Sequence, residues 1–193
     1  MIGMKSVSGG VNMVYLGLYL IVLGVVAVIV GPRLVVTAPQ VGLLVVGSGW
    51  LMLIVGAIMG LVGKIRCLSV PDAVQTWGVI YTAVLCDVLV LLIGVADHLV
   101  VLPTIVRIAH GCLALLAFVL FVIFLKRVAV HIKDLQSQDR ASFLLNLSIA
   151  TAIVLVVGRV VPFLAIIGLI LILVMFFTYI RLLLSLRVSL RAA

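Results

Sequence analysis

The sequence predicts an all-α protein, a polytopic membrane bundle of six transmembrane helices. Three observations carry this prediction: the composition, the length of the apolar runs, and the positions of the basic residues between them. Of the 193 residues, 67% are hydrophobic and only 9% are charged, whereas a soluble domain is about half apolar and a quarter charged. A chain this poor in polar residues cannot cover a water-soluble surface. We therefore expect one transmembrane domain over residues 1–193.

Six apolar runs are long enough to cross a bilayer as a helix, which takes about 20 residues. The predicted spans are residues 12–30, 41–62, 75–96, 104–125, 143–161 and 163–185. The breaks between them consist of prolines, glycines and charged residues, which stop a helix or mark the membrane surface. In chain order the breaks are Gly31-Pro32-Arg33, Lys64-Ile65-Arg66 with Pro71, Asp97-His98 with Pro103, Lys126 to Arg140, and Gly158-Arg159 with Pro162.

The basic residues divide unevenly between the two sides of this bundle. One side receives Lys5, Lys64, Arg66, Lys126, Arg127, Lys133, Arg140, Arg181, Arg187 and Arg191, and the other receives Arg33, Arg107 and Arg159. Cytoplasmic loops carry an excess of Lys and Arg, so both termini are predicted to lie in the cytoplasm. The expected location is the cell inner (plasma) membrane, crossed several times. Nucleic-acid binding is not expected, because the basic residues form no stripe with interleaved aromatic residues.

Glycines recur every seven residues in the first two spans. They are Gly10, Gly17, Gly24 and Gly31 in the first, and Gly42, Gly49, Gly56 and Gly63 in the second, with Gly60 forming a GxxxG motif with Gly56. A seven-residue spacing keeps one stripe facing a partner helix, and glycine lets two backbones approach closely in lipid. The pattern predicts a tight antiparallel hairpin. The alternative is a stripe that faces another subunit in a homo- or hetero-oligomer.

An aspartate, Asp87, stands in the middle of the apolar third span. A charge within hydrocarbon is costly, so such a group faces the interior and pairs with another polar group. The rise of a helix places Asp87 and His110 at a similar depth on adjacent antiparallel helices, with Arg107 nearer the outer surface. Asp87, His110 and Arg107 are therefore the candidate intramembrane polar site, for a proton or a solute. The alternative is a purely structural role, as a buried pair or as a protonated acid bonded to a carbonyl. We expect His110 or a hydroxyl of the fifth helix to lie within hydrogen-bond reach of Asp87.

Basic residues at the cytoplasmic rim are candidates for contact with lipid headgroups or with a partner protein. They are Lys126, Arg127, Lys133, Arg187 and Arg191. Each basic residue near an anionic leaflet contributes about 1 kcal/mol of attraction, so anionic lipids at the cytoplasmic face are the expected partners. An ordinary orientation signal is the simpler explanation of the same residues, and a docking surface for a cytoplasmic partner is the alternative.

Enzymatic chemistry and bound cofactors are not expected. The cysteines, Cys67, Cys86 and Cys112, form no CxxC pair and no metal-ligand spacing. The three histidines are predicted at different depths, so they cannot share a metal ion or a haem. The motifs of zinc proteases and P-loop enzymes do not occur. The prediction is therefore a non-enzymatic protein without metal or cofactor.

Two resemblances add to this interpretation. The stretches KIRCLSVP (Lys64–Pro71) and FVIFLKRV (Phe121–Val128) resemble those of uncharacterised bacterial multi-span membrane proteins, a likeness that implies no activity. In length, span number and terminal orientation, the chain is similar to the substrate-binding subunits of vitamin-uptake transporters, which is an analogy of architecture only. The sequence favours a subunit or scaffold in the membrane. The alternative is a small transporter component with a solute or proton site around Asp87.

Overall fold

The computed structural model describes residues 2–70, 76–100, 103–158 and 162–192. Within these residues the chain forms six α-helices, so the all-α prediction is confirmed. A short 3₁₀ turn, Cys67–Ser69, follows the second helix. The helices are α1 (Ile2–Thr37), α2 (Pro39–Arg66), α3 (Trp77–Leu99), α4 (Thr104–His131), α5 (Leu135–Val157) and α6 (Pro162–Ala192).

The helices run up and down as three consecutive antiparallel hairpins. The α1–α2 hairpin is the most closely packed, α3 pairs with α4, and α5 pairs with α6. The α4–α5 and α1–α6 contacts join the hairpins to one another, whereas α2 touches α3 over a much smaller area. This weak α2–α3 contact leaves room for a cleft between the first hairpin and the rest of the bundle.

The buried apolar side chains of the described residues gather at one end of the bundle. At this end α1, α3 and α5 begin and α2, α4 and α6 end. The largest of these side chains are Val7, Val11, Ile80, Phe121, Phe124, Leu125, Leu144, Leu182, Leu183 and Leu186. Toward the other end, large apolar side chains such as Val36, Leu44, Ile105, Val156 and Phe163 are exposed. We call the end with the buried side chains the closed end and the opposite one the open end. Lipid supplies no hydrophobic force between helices, so interdigitated side-chain packing holds the closed end together.

A seam of glycines runs along the α1–α2 hairpin. A Cβ atom built on Gly17 would lie 2.6 Å from the carbonyl oxygen of Gly56, and one built on Gly24 would lie 2.8 Å from that of Gly49. Real side chains do not approach a backbone so closely, so only glycine fits. Gly60 also takes part in the seam through its backbone, since a Cβ atom on Gly17 would lie 2.8 Å from the Gly60 nitrogen. Its own Cβ position faces open space, with no atom within 4 Å.

The helices extend beyond most of the predicted spans, and two of these extensions change the packing. Helix α1 continues through Pro32 to Thr37 instead of ending at Gly31. Membrane helices tolerate proline where a neighbouring helix supports the backbone, and Gly31 packs against Val46 of α2. Helix α5 begins at Leu135, eight residues before the predicted span, because the polar stretch after α4 turns within four residues and becomes helical again.

The turn between α4 and α5 is a Schellman cap. Lys133 adopts the left-handed conformation with φ 58°, the Asp134 N–H donates to the carbonyl of Ala129 at 3.0 Å, and the Lys133 N–H donates to that of Val130 at 3.1 Å. Helix α4 therefore ends at His131, six residues after the predicted span. The reversal brings the start of α5 next to the end of α6.

Five of the described helical segments are long and apolar enough to cross a membrane. They are Lys5–Val36, Pro39–Ser69, Trp77–Asp97, Thr104–His131 and Ile166–Leu190. Helix α5 is not among them. The helices fit an integral membrane protein, and the sixth span stays a prediction.

Candidate functional site

Asp87 pairs with Lys64 of helix α2. The Lys64 Nζ atom donates to Asp87 Oδ2 at 2.6 Å, and the same ammonium lies 4.9 Å from the centre of the Phe121 ring. The two charged side chains keep 14% and 23% of their surface exposed. The pair is therefore mostly enclosed by apolar groups but can be reached from outside the protein.

The pair lies in a cleft of about 260 Å³ that five helices surround. Its walls are mainly apolar and include Val14, Leu18, Ile21, Val90, Leu91 and Phe118. On the α2 side the wall consists of small residues, Gly56, Ala57 and Gly60, and for this reason the cleft can extend toward Lys64. We call this feature the ion-pair cleft. Lys64, Asp87 and Tyr179 supply its polar atoms among the lining residues.

The partner of Asp87 differs from the expected one. His110 Nε2 lies 3.1 Å from the carbonyl oxygen of Val90, where an Nε2–H donates. The helix-five hydroxyls of Ser148 and Thr151 bond to carbonyls of their own helix, each at 2.7 Å. A hydroxyl satisfied within its own helix has no need to reach across the bundle, so Lys64 takes the place that we assigned to His110.

Arg107 forms a separate ion pair away from the cleft. Its Nε atom donates to Asp97 Oδ1 at 3.0 Å, near the α3–α4 turn, and the two side chains are 52% and 34% exposed. The structure therefore divides the predicted trio. Asp87 belongs to the ion-pair cleft, His110 joins α4 to the α3 backbone, and Arg107 lies at the open end of the bundle.

Lys64 belongs to the ion-pair cleft although it was not among the predicted site residues. Its charge predicts a position on the cytoplasmic side, and it stands two residues before the end of α2. A signal was present, however. Gly56, Gly60 and Lys64 are spaced four apart, so they share one face of the helix. A lysine that continues a stripe of small residues points toward another helix, and in this protein that helix is α3.

The other predicted rim residues lie around the closed end. Arg127 and Lys133 are exposed, Lys126 and Arg187 are half-buried, and the side chain of Arg191 lies outside the described part. Tyr179 is buried, and its ring meets that of Phe118 edge-on with centroids 5.2 Å apart. The long α6 helix brings Tyr179 inside the bundle.

A cluster of hydroxyls around Asp134 fastens the closed end. Asp134 caps α5 by accepting the Ser137 N–H at 3.1 Å and the Ser137 hydroxyl at 2.6 Å. The Ser189 hydroxyl of α6 donates to the same carboxylate at 2.7 Å. Burial alone would raise the pKa of Asp134, but the hydrogen bonds from Ser137, Ser189 and the backbone outweigh it, so the pKa lies below its ordinary value.

The ion-pair cleft presents one cation and one anion to a bound molecule. A carboxylate solute can compete for Lys64, an amine can compete for Asp87, and a proton on Asp87 weakens the pair. Among the residues that the structure describes, no group of three His, Cys, Asp or Glu side chains could hold a metal ion. Compared with known proteins, the chain matches no family model, no curated protein and no solved structure. The function is therefore argued from the site itself.

Proposed function

We propose that the protein is a small, non-enzymatic transporter component that binds a charged small solute or a proton at the Lys64–Asp87 pair. One observation carries the proposal: a cleft reaches an ion pair that lies within apolar helices. A bundle whose role is only structural has no need of a cavity at its charged residues. Intramembrane ionisable groups commonly mark solute or proton pathways.

The size of the ion-pair cleft favours a small ligand. Its volume of about 260 Å³ is below the range of roughly 300–1,000 Å³ typical of sites for drug-sized molecules. The mainly apolar walls favour a ligand with a short hydrocarbon chain. The ion pair in the lining favours a ligand that carries one charged group. A short carboxylate or a short primary amine combines these two features.

A melting experiment with matched probes tests the proposal. The purified protein in detergent is heated with butyrate, butylamine or the neutral butyramide. Butyrate or butylamine should raise the melting temperature, because either can bind one member of the pair, and butyramide should not. Uptake of the active probe, and proton movement followed by an internal pH dye, would then be measured in proteoliposomes.

Two leucine variants on helix α2 supply the control. A Cβ atom at Gly60 would meet no atom within 4 Å, and Gly60 lines the cleft. A leucine there should therefore fill the cleft, and Gly60→Leu should abolish the effect of the probe. Gly47 has equally open surroundings but does not line the cleft. The probe should therefore still raise the melting temperature of Gly47→Leu. Two results together refute the proposal. One is that no probe raises the melting temperature of the wild type more than that of Gly60→Leu, and the other is that proton movement is the same in the wild type and in Asp87→Asn.

We also propose six spans with both termini in the cytoplasm, in a cell inner membrane. The five apolar helices support most of this topology. The exposed face of α5, with Phe143, Ile149, Ile153 and Val156, supports a sixth span in contact with lipid. The basic rim residues would then lie at the cytoplasmic leaflet and attract anionic lipids.

A subunit or scaffold role is the second candidate. The observation that favours it is the α1–α2 hairpin, which is attached to the rest of the bundle chiefly at the closed end. Its outer half exposes apolar side chains, including Leu43, Leu44, Leu51 and Ile54. Another copy or another membrane protein could pack on this hairpin. Cross-linking in native membranes, with a cysteine in place of Leu44 or Leu51, tests this role directly.

A further inference from the structure

A second cavity lies between helices α4, α5 and α6, apart from the ion-pair cleft. It has a volume of about 680 Å³, and its lining includes Arg107, Gly111, Leu115, Thr151, Val156 and Met175. We call it the α4–α6 groove. Phe118 closes its inner end, where the ring packs against Tyr179 and separates the groove from the ion-pair cleft.

The interior of the α4–α6 groove favours a hydrocarbon chain. The Thr151 hydroxyl donates to the Leu147 carbonyl at 2.7 Å, so it needs no polar ligand. The other groups along the inner part, such as Leu115, Ile172 and Met175, are apolar. A ligand that fills this space gains dispersion contacts and has no hydrogen bond to make there.

The length of the groove matches one leaflet of a bilayer. Arg107 at the mouth and Phe118 at the inner end are eleven residues apart on α4, which corresponds to about 17 Å at 1.5 Å per residue. Half of a hydrocarbon core of roughly 30 Å is about 15 Å. An acyl chain that begins at the level of Arg107 would therefore end near Phe118. Arg107 itself lies in the first turn of α4, where a headgroup would be found.

At the mouth of the groove Arg107 belongs to the lining, and Asp97 stands beside it as its ion-pair partner. Arg107 uses its Nε atom to bind Asp97, and both side chains remain partly exposed, at 52% and 34%. The guanidinium can donate its remaining N–H groups to a phosphate, and a primary ammonium can donate to the Asp97 carboxylate. A headgroup with a phosphate and a primary ammonium complements this pair, whereas a purely anionic headgroup meets Asp97 unfavourably.

We propose that the α4–α6 groove binds one phospholipid with an ethanolamine headgroup, its acyl chain along α4 and its phosphate on Arg107. This lipid is a bound partner of the fold, independent of any solute at the Lys64–Asp87 pair. It fills the open end of the bundle, where the described helices lack a side-chain core.

Lipid competition followed by native mass spectrometry tests the proposal. The delipidated protein is offered equal amounts of phosphatidylethanolamine, phosphatidylcholine and phosphatidylglycerol with identical acyl chains. Phosphatidylethanolamine should be retained with one lipid per chain and in preference to the other two. Arg107→Gln should reduce its retention about tenfold, the effect of losing one charge-assisted hydrogen bond.

A pair of glycine variants separates the groove from the general lipid belt. Gly111 lines the groove and has no atom within 4 Å of an added Cβ, and Gly78 of α3 is equally open but lies elsewhere. Gly111→Leu should abolish the retained lipid, and Gly78→Leu should leave it in place. Equal retention of the three lipids by the wild type, or unchanged retention by Gly111→Leu, would overturn the proposal.

Discussion

The ammonium of Lys64 and the carboxylate of Asp87 meet at 2.6 Å inside a bundle that is otherwise almost entirely apolar. The contact joins α2 to α3, two helices that touch little elsewhere. The same two residues that face the ion-pair cleft therefore also connect the first hairpin to the rest of the protein. Any ligand or proton that changes this pair acts on the junction between these two parts.

The first prediction concerns the coupling of this pair. Lys64→Met and Asp87→Leu should each lower the free energy of unfolding by about 1–3 kcal/mol, because each leaves a polar partner unsatisfied. The double variant should lose clearly less free energy of unfolding than the two single variants lose together, since no unpaired charge remains in it. Asp87→Asn should keep the fold. Thermal melting in detergent compares the four variants with the wild type. If the stability losses of the two single variants simply add in the double variant, the contact contributes nothing to stability.

The second prediction concerns the glycine seam. A Cβ atom at Gly56 would lie 2.6 Å from the Gly17 carbonyl, and one at Gly49 would lie 3.0 Å from the Gly24 carbonyl. Gly56→Leu and Gly49→Leu should therefore force α1 and α2 apart, at a cost of about 1–3 kcal/mol or more, and reduce folded yield. Gly47→Leu on the same helix is the control and should be neutral. If leucine is tolerated at both seam positions, the backbones are not in contact.

The third prediction concerns topology. A reporter fused after Ala193 should be active in the cytoplasm, and His98→Cys should react with a membrane-impermeant thiol reagent added from outside. The uneven distribution of basic residues is the reason. The wild type, which carries three cysteines of its own, is the background control. A reporter that is active only outside the cytoplasm would mean that α5 does not cross the membrane.

The fourth prediction concerns pH. The pKa of Asp134 is lowered on folding from an ordinary value of about 3.9, so its charged form stabilises the folded state above that value. This contribution is lost as the pH falls below about 4 and through the folded pKa. At neutral pH Asp134→Asn should melt below the wild type, and the difference should shrink toward pH 3. A difference that is the same at every pH would assign the effect to capping geometry alone.

The sequence by itself determined the helical class, most of the spans and the seven-residue glycine spacing. Composition and run length are local properties, and the bilayer imposes a fixed helix length, so these features can be read without knowing which helices meet. Lys64 belonged to a detectable stripe of small residues. The start of α5 also had a signal, because Asp134 is a favoured N-cap residue. The left-handed conformation of Lys133 had none, because it depends on the reversal that brings α5 against α6.

Only the tertiary structure decided the partner of Asp87 and the shape of the cavities. His110 and Lys64 were both within reach along the chain, and helix rotation and tilt, which side-chain packing sets, turned Lys64 toward Asp87. The same packing gathers the large side chains at one end of the bundle and leaves the α4–α6 groove open at the other. An apolar run specifies that a helix crosses lipid, but it does not specify which face meets which neighbour, because nearly every face is equally apolar.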